Sequence, residues 1–323
     1  MPMQKYILIL TRREYVGAFL KFVLTKQNLG FQVEFALVDD ISFSSFDKFK
    51  AFVRTKNPDT SLENAFYLLI GGSELYYDIN SSFGDFQYAQ CSDIADDKSM
   101  YCTVGRIPGR NIAEIEAVCN NVLRCGSIQR RQLNLLPIVA TEKNRNFWNR
   151  TFSEPYLLPM DTTANAEELL SKDVVIEEIK LNNFILHMGH GSRRSLVLRQ
   201  GIRLKVDDIP EPQSGYFHIW AWACSTCKEK ENSCSLGENC LLQNKAVSFW
   251  GARGVTYGGS NRKSYRSFVQ ELCNLNTDRT IGEIYFKTVM RKAFSDFNFG
   301  NTNLLRNAMQ YMFLGDPTML VTV

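Results

Sequence analysis

The sequence has little histidine and lacks any long hydrophobic run. Three histidines occur in 323 residues, so an imidazole used for chemistry has few candidates. No segment approaches the roughly 18 consecutive apolar residues of a membrane-spanning helix, and no membrane association is expected. The first apolar run, Tyr6–Leu10, is shorter than the hydrophobic region of a secretory signal, which needs about seven residues or more. These features predict a cytoplasmic protein.

Cysteine and basic residues are present, but not in patterns that would assign the chain to a special class. Nine cysteines in a chain of this length fall short of a disulfide scaffold, and the odd number leaves at least one unpaired. The net charge is only +3, and no block of Lys and Arg reaches the density of a nucleic-acid-binding tail. No nucleic-acid partner is therefore expected.

Segments of strand and helix character alternate along the chain. Tyr6–Leu10, Phe31–Leu37 and Ala65–Ile70 are short strand-like runs, separated by segments with apolar residues at helical spacing. This β-α-β-α-β order predicts an α/β fold with mostly parallel sheets flanked by helices. The pattern begins again after a polar stretch near residue 132, which predicts two α/β subdomains, residues 1–132 and residues 133–323.

Two further segments of the second half have clear periodicities. Val174–Ile179 is rich in β-branched residues and is predicted to be a strand, whereas the spacing in Asn303–Phe313 predicts a helix. The intervening stretch Lys228–Asn239 is polar and is interpreted as an insert.

Two strand-like runs end on reactive side chains among small residues. The first carries His190 between two glycines, and the second ends at Cys224. Because parallel strands deliver chemistry at their carboxyl ends, adjacent strands would bring an imidazole and a thiol to one edge of the sheet. The separation of the two residues along the chain allows the required crossover. We predict a Cys224 nucleophile with His190 as its partner, and interpret His187 and His218, inside the runs, as structural.

A metal site is the alternative use of the cysteines. They form a C-x2-C-x6-C-x5-C pattern whose first pair has zinc-knuckle spacing: Cys224, Cys227, Cys234 and Cys240. The chain would then be a catalytically inactive interaction or sensor module of the same fold. The apolar strand before Cys224 and the wide second spacing favour a free thiol, so no metal or cofactor is assigned. A redox or acyl-transfer use of the Cys224–Cys227 pair is disfavoured, since the second cysteine does not open a helix-forming run.

Four motifs occur in a fixed order: Phe-Ile-Leu-His-Met-Gly-His190-Gly-Ser, then Ala-Cys224, then Ala-Val-Ser-Phe-Trp-Gly-Ala-Arg-Gly, then Phe313-Leu-Gly-Asp-Pro-Thr. Together with Gly105-Arg-Ile-Pro-Gly-Arg upstream, they resemble the gingipain-type cysteine peptidases of the caspase–gingipain–legumain clan over nearly the whole chain. The resemblance implies caspase-like subdomains and peptide-bond hydrolysis. It implies that Cys224 attacks the scissile carbonyl, that His190 protonates the leaving amine, and that the N–H groups of Gly191 and Cys224 hold the oxyanion.

The same resemblance suggests a substrate pocket. Residues two apart on a strand share a face, so Met188 and Trp222 lie beside the dyad, at positions where gingipains have smaller side chains that leave room for Arg or Lys. Two bulky side chains predict a shallow pocket for a small or apolar residue; a basic residue would need a carboxylate from the preceding polar loop. Trp222 could instead pack in the core. The candidate carboxylates are Asp93, Asp96 and Asp97.

A peptidase in the cytoplasm must be restrained. We therefore expect a protein or peptide substrate together with an activating partner, a ligand or self-cleavage. Lys228–Asn239 follows the nucleophile directly and is the candidate gate or autocleavage segment.

Overall fold

The computed structural model describes residues 5–39, 52, 55, 65–71, 103–129, 134–139, 146, 171–212, 216–228, 230, 233–291 and 302–323. The described strands are β1 Tyr6–Thr11, β2 Gln32–Leu37, β3 Ala65–Gly71, β4 Thr103–Pro108, β5 Ser127–Gln129, β6 Leu135–Val139, β7 Phe184–Met188, β8 Gly191–Ser192, β9 Ser195–Val197, β10 Arg203–Lys205, β11 His218–Trp222, β12 Ser248–Ala252, β13 Arg279–Thr280, β14 Tyr311–Leu314 and β15 Leu320–Thr322.

The described α-helices are α1 Leu20–Asn28, α2 Ile112–Cys125, α3 Lys172–Leu181, α4 Leu236–Leu242, α5 Gly258–Cys273, α6 Ile281–Tyr285 and α7 Thr302–Ala308. A 3₁₀ segment, Arg13–Phe19, precedes α1, and a π-helical segment, Phe286–Arg291, continues α6. None of the described helices combines the length and the apolar character needed to cross a bilayer.

The main sheet contains nine described strands in the order β2-β1-β3-β4-β14-β12-β11-β7-β6. Neighbouring strands run parallel except β12 and β14, which are antiparallel. This confirms the predicted α/β class with a mostly parallel sheet and flanking helices. Both halves of the chain contribute to the one sheet, and they meet where Leu314 of β14 pairs with Arg106 of β4. The division at residue 132 stays a prediction.

The core lies on both faces of this sheet. Every residue of β1, β4, β7, β11, β12 and β14 is buried, as expected for strands covered by helices on both sides. Aromatic rings fill the region around β11 and β12: Trp220 stacks on Phe268 at 4.0 Å and Trp250 on Tyr311 at 3.9 Å between centroids. The ends of β11 and β12 are therefore supported by a closely packed aromatic core.

The strand predicted at Val174–Ile179 is wrong, because these residues lie in helix α3. Ser171 caps the helix by accepting a hydrogen bond from the Val174 N–H. Val175 and Ile179, four residues apart, are the buried positions. The cap and the single buried face outweigh the strand propensity of the β-branched side chains.

The helix predicted over Asn303–Phe313 ends early. Helix α7 stops at Ala308, and Tyr311–Leu314 forms β14, between β4 and β12. All four residues of β14 are buried, which a helix with one apolar face does not achieve. In the polar insert, helix α4 begins with a capping box in which Ser235 and Glu238 each accept from the backbone N–H of the other.

Candidate active site

Strands β7 and β11 are adjacent and parallel, and they end at the same level. Met188 pairs with Trp222 in the last rung, and the Gly189 N–H donates to the Trp222 carbonyl at 3.3 Å. His190 and Cys224 each follow this rung by two residues. The structure thus brings the two predicted residues to one edge of the sheet.

Gly191 connects the histidine turn to the cysteine turn. A Cβ atom built on Gly191 would lie 2.8 Å from the Ala223 Cβ and 2.9 Å from the Cys224 carbonyl oxygen. On its other side, the Val197 N–H donates to the His190 carbonyl at 2.9 Å, so Gly191 is a non-hydrogen-bonded position of the β8–β9 hairpin. Its N–H therefore points away from β9.

The exposure of the two side chains suits chemistry on a substrate. His190 is exposed and Cys224 is partly buried, so the imidazole can meet a ligand while the sulfur stays sheltered. A nucleophilic thiol needs this partial accessibility.

The backbone turns sharply just after Cys224. Ser225 has a φ of 58°, in the left-handed region that costs a residue with a side chain about 1–3 kcal/mol and is common at functional sites. Two hydrogen bonds of 2.9 Å hold the turn against the segment that ends β12, from Ser225 N–H to the Gly254 carbonyl and from Cys227 N–H to the Ala252 carbonyl. The sulfur position is thus determined by the end of the neighbouring strand.

Thr256 contacts the sulfur directly. Its backbone N–H donates to Cys224 Sγ at 3.3 Å, and its Oγ1 lies 3.5 Å from the same atom. The thiol proton can be donated to the Thr256 carbonyl at 3.7 Å. Thr256 therefore offers partners to both protonation states of the nucleophile.

A second thiol–imidazole contact occurs elsewhere, between Cys125 Sγ and His218 Nε2 at 4.0 Å. Burial raises the pKa of Cys125 to about 12 and lowers the pKa of His218 to about 3, so both side chains are uncharged near neutral pH. His218 begins β11, whereas the dyad candidates follow the end of that strand. It also pairs with Ser248 at 2.9 Å. We interpret this partly buried contact as structural.

His187 is also structural. It is fully buried in β7, and its Nε2 pairs with the Val197 carbonyl at 3.0 Å. Burial is the main reason that its pKa falls to about 4. The structure thus leaves His190 as the exposed imidazole beside Cys224.

The comparisons with known proteins show the family to which the chain belongs. The model of peptidase family C25 matches residues 2–322. The chain belongs to this family of cysteine peptidases. The resemblance to gingipains in the sequence motifs is thereby confirmed. A search of curated proteins gave no match.

Solved structures share the fold of this C25 peptidase. Gingipain R (RgpB), an Arg-specific cysteine proteinase, matches with a TM-score of 0.77 at 14% identity, over 98% of this chain and 78% of its own. A structure described only as a protease gives 0.76 at 15% identity, over 99% and 79%. The separase–securin complex of Saccharomyces cerevisiae gives 0.53 at 11% identity, over 91% of this chain and 18% of its own.

The predicted pocket residues of the peptidase are buried. Met188 and Trp222 are 1% and 0% exposed, and Trp222 donates its indole N–H to Ser264 of α5 at 3.1 Å. Trp222 thus packs in the core, as its alternative interpretation has it, and the role of both residues in substrate binding stays a prediction. Asp93, Asp96 and Asp97 lie outside the described residues.

Two other cysteines of the proposed zinc pattern, Cys227 and Cys240, are buried in the core. Cys227 Sγ lies against Gly237 and Gly251, 2.9 Å from a Cβ built on either. Cys240 is buried in α4, where burial raises its pKa. In the part of the chain that the structure describes, no group of three or more His, Cys, Asp or Glu side chains could hold a metal ion. The zinc interpretation therefore gains no structural support.

Sequence reasoning missed Thr256. It follows β12, the strand beside β11, by four residues. The strand-end argument that selected His190 and Cys224 also applies to this third strand. A small polar residue after the Gly251 and Gly254 pair was the available signal.

Proposed function

We propose that this C25 peptidase is an endopeptidase with Cys224 as nucleophile and His190 as general acid and base. The observation that carries the proposal is the close packing of Gly191 on Cys224 beyond the Met188–Trp222 rung. This close packing supports a role for the exposed imidazole and the sheltered thiol on one substrate at the same edge of the sheet.

The proposed chemistry follows from these positions. Cys224 gives its thiol proton to His190 while its sulfur forms a bond to the scissile carbonyl carbon, and the oxyanion accepts hydrogen bonds from the Gly191 and Cys224 N–H groups. His190 gives its proton to the leaving amine, and the C–N bond breaks. His190 then takes a proton from water, which attacks the thioester and releases the acid product and the free thiol.

Active-site labelling tests the two assignments. Peptidyl acyloxymethyl ketones with varied P1 residues should add one label to the wild type and none to Cys224→Ala. His190→Ala should be labelled far more slowly. Cys234→Ala is the matched control, because its thiol is also partly buried, and it should be labelled like the wild type. Labelling that survives in Cys224→Ala would contradict the assignment of the nucleophile.

The same probes, with their varied P1 residues, also measure the specificity of the substrate pocket. We propose a preference for a small or apolar P1 residue, because Met188 and Trp222, the two residues predicted to line the pocket, are both bulky and buried. Faster labelling by a P1 Arg or Lys probe would instead favour a carboxylate reaching in from the polar loop. Cleavage of internally quenched peptides blocked at both ends separates an endopeptidase from an exopeptidase.

The proposal includes restraint by a polypeptide. Protein restraint has parallels among the related structures, one of which is a complex of the RgpB pro- and mature domains and another a separase–securin complex. In this chain, Arg193 lies in the turn between β8 and β9, shortly after His190. Both terminal guanidinium nitrogens of Arg193 donate hydrogen bonds to Ser233 Oγ, which belongs to the insert Lys228–Asn239. This contact couples Lys228–Asn239 to the segment that carries His190.

Intact mass measured over time tests the self-cleavage version. Cleavage within Lys228–Asn239 should occur in the wild type and not in Cys224→Ala, and Arg193→Ala should change its rate. Ser233→Ala removes the other partner and should have the same effect as Arg193→Ala. Stable, identical masses in the wild type and all variants would exclude self-cleavage, and a separate partner or ligand would then have to restrain the peptidase. The cytoplasmic location is part of the proposal and is checked by cell fractionation.

A further inference from the structure

A buried polar cluster lies directly behind Cys224. Its members come from four separate parts of the chain: Thr256 after β12, Asn261 in α5, Asn307 in α7 and Tyr311 at the start of β14. Their exposed fractions are 9%, 4%, 1% and 0%. Burying this many polar groups is costly unless each is hydrogen-bonded, and here the bonds form a continuous chain that ends at the sulfur.

The backbone N–H of Tyr257 sets the direction of every bond in the cluster. It can only donate, and its partner is Asn307 Oδ1 at 2.6 Å. Asn307 must therefore present its Nδ2 to Asn261 Oδ1, at 2.7 Å. Tyr311 also donates to Asn261 Oδ1, at 2.7 Å. Both acceptor sites of the Asn261 oxygen are then occupied.

The Asn261 nitrogen in turn determines the role of the Thr256 hydroxyl. Its two hydrogens go to the Trp222 carbonyl at 3.3 Å and to Thr256 Oγ1 at 3.0 Å. Thr256 Oγ1 is thus an acceptor of the Asn261 proton, and its own proton is available for another atom. Two acceptors near this hydroxyl are the Tyr311 oxygen and Cys224 Sγ, which is 3.5 Å away.

We propose that Thr256 is a positioning residue for the Cys224 thiolate, and this rests on the proposed nucleophilic role of Cys224. While Cys224 is a thiol, the Thr256 hydroxyl donates to Tyr311. When the thiol proton has passed to His190, the hydroxyl turns about its C–O bond and donates to the sulfur, because a charged acceptor binds a proton more strongly than a neutral phenol. No proton leaves Thr256, and its backbone N–H holds the sulfur throughout.

The rate of Cys224 alkylation by iodoacetamide between pH 5 and pH 9, followed by intact mass, measures thiolate formation without any peptide substrate. Thr256→Val keeps the branched shape but removes the hydroxyl, and should slow alkylation near neutral pH about tenfold, the value of one hydrogen bond to a charged group. Thr256→Ser restores the hydroxyl and should alkylate like the wild type.

Tyr311→Phe distinguishes a hydrogen bond from Thr256 to the thiolate from a general effect of packing in the cluster. It removes the acceptor that competes with the sulfur, so alkylation should stay as fast as in the wild type or become faster. Thr288→Val is the matched control, since Thr288 is buried and its hydroxyl bonds the Ile284 and Tyr285 carbonyls at 2.9 and 3.3 Å, outside the cluster. It should leave alkylation unchanged.

Two results would overturn the proposal: wild-type alkylation in Thr256→Val, or slowing of about tenfold or more in Tyr311→Phe. Tyr311→Phe decides alone if Thr256→Val fails to fold, as judged by its thermal transition. Failure of this proposal can be distinguished from failure of the proposed function. If peptidyl probes label Cys224 while alkylation contradicts the role of Thr256, the nucleophile stands and only its positioning residue is lost.

Discussion

Gly191 and Cys224 pack backbone against backbone, with no space for a side chain between them. A Cβ atom on Gly191 would also lie 2.7 Å from the Thr226 methyl carbon. The turn that carries His190 and the turn that carries Cys224 therefore have one relative position, and glycine at residue 191 permits it.

Gly191→Ala should separate the two turns. We expect a loss of about 1–3 kcal/mol in the free energy of unfolding from overpacking, and a fall of about 100-fold in the rate of labelling by peptidyl probes, since small displacements of reacting groups have effects of that size. Urea unfolding and labelling kinetics measure the two effects. Gly17→Ala, where nothing lies within 4 Å of the new Cβ, should change neither. Wild-type labelling in Gly191→Ala would show that the contact is not needed.

Because the backbone of Ser225 is in the left-handed region, replacing it by glycine and by a bulky residue should have different effects on the free energy of unfolding. Ser225→Gly relieves the backbone strain at a φ of 58°, and we expect the free energy of unfolding to stay constant or rise by up to about 1 kcal/mol. Ser225→Val should lower it by more than about 1 kcal/mol. Asn244, with a φ of 55°, is the control position outside the site. If Ser225→Gly stabilises the fold but slows labelling by peptidyl probes, and the same change at Asn244 does not, then the strained backbone at Ser225 is needed for the reactivity of Cys224.

The two buried histidines should make the fold sensitive to acid. Burial lowers the pKa of His187 to about 4 and of His218 to about 3, from an ordinary value of 6.5. Because the unfolded chain takes up these protons first, the stability is fully present above about pH 6.5 and declines towards pH 4 and below. Each histidine should cost roughly 2 kcal/mol by pH 5.

Urea unfolding at pH 7 and pH 5 measures this loss. His187→Gln keeps a nitrogen near the position of Nε2, and His218→Asn keeps one near Nδ1, so each retains its hydrogen-bond partner without a titrating ring. Each variant should show a smaller difference between the two pH values than the wild type. An unchanged difference in both would assign the acid sensitivity to other groups.

Lys26 of α1 and Asp316 of the Gly-Asp-Pro-Thr motif form an ion pair that is almost fully buried. Asp316 also accepts from the Thr318 N–H and hydroxyl, at 2.9 and 2.7 Å. Lys26→Met should cost about 3–5 kcal/mol, because it leaves a buried carboxylate unpaired. The double variant Lys26→Met with Asp316→Asn should recover part of that loss.

Chemical denaturation compares these variants with an exposed pair. Lys180→Met breaks the ion pair with Glu177, which is 68% exposed, and should cost less than about 1 kcal/mol. Equal losses in Lys26→Met and in the double variant would show that the charge left behind is not the cause.

The sequence predicts those parts of the site that depend on the residue pattern of one β-strand at a time. The runs before His190 and Cys224 are mostly apolar, and they form the adjacent parallel strands β7 and β11 that the sequence predicts. Val174–Ile179 was misassigned, since its β-branched residues favour a strand until the Ser171 cap and tertiary packing are considered. Tyr311–Leu314 was misassigned because the apolar spacing of a preceding helix continued into it.

Thr256 and its partners could not be found in this way. Asn307 and Tyr311 are distant in the chain from Thr256 and Asn261, and a buried asparagine cannot be distinguished by sequence from one on the surface. Their hydrogen bonds exist only after α5, α7 and β14 have packed together.

The position of β14 also affects the order of events during translation. This strand lies between β4 and β12, yet both of its neighbours leave the ribosome before it. Until Tyr311–Leu314 has emerged, β4 and β12 lack the strand that pairs between them, and unpaired strand edges favour aggregation. Because Tyr311 belongs to the cluster behind the sulfur, the nucleophile acquires its complete surroundings only after the sheet has closed.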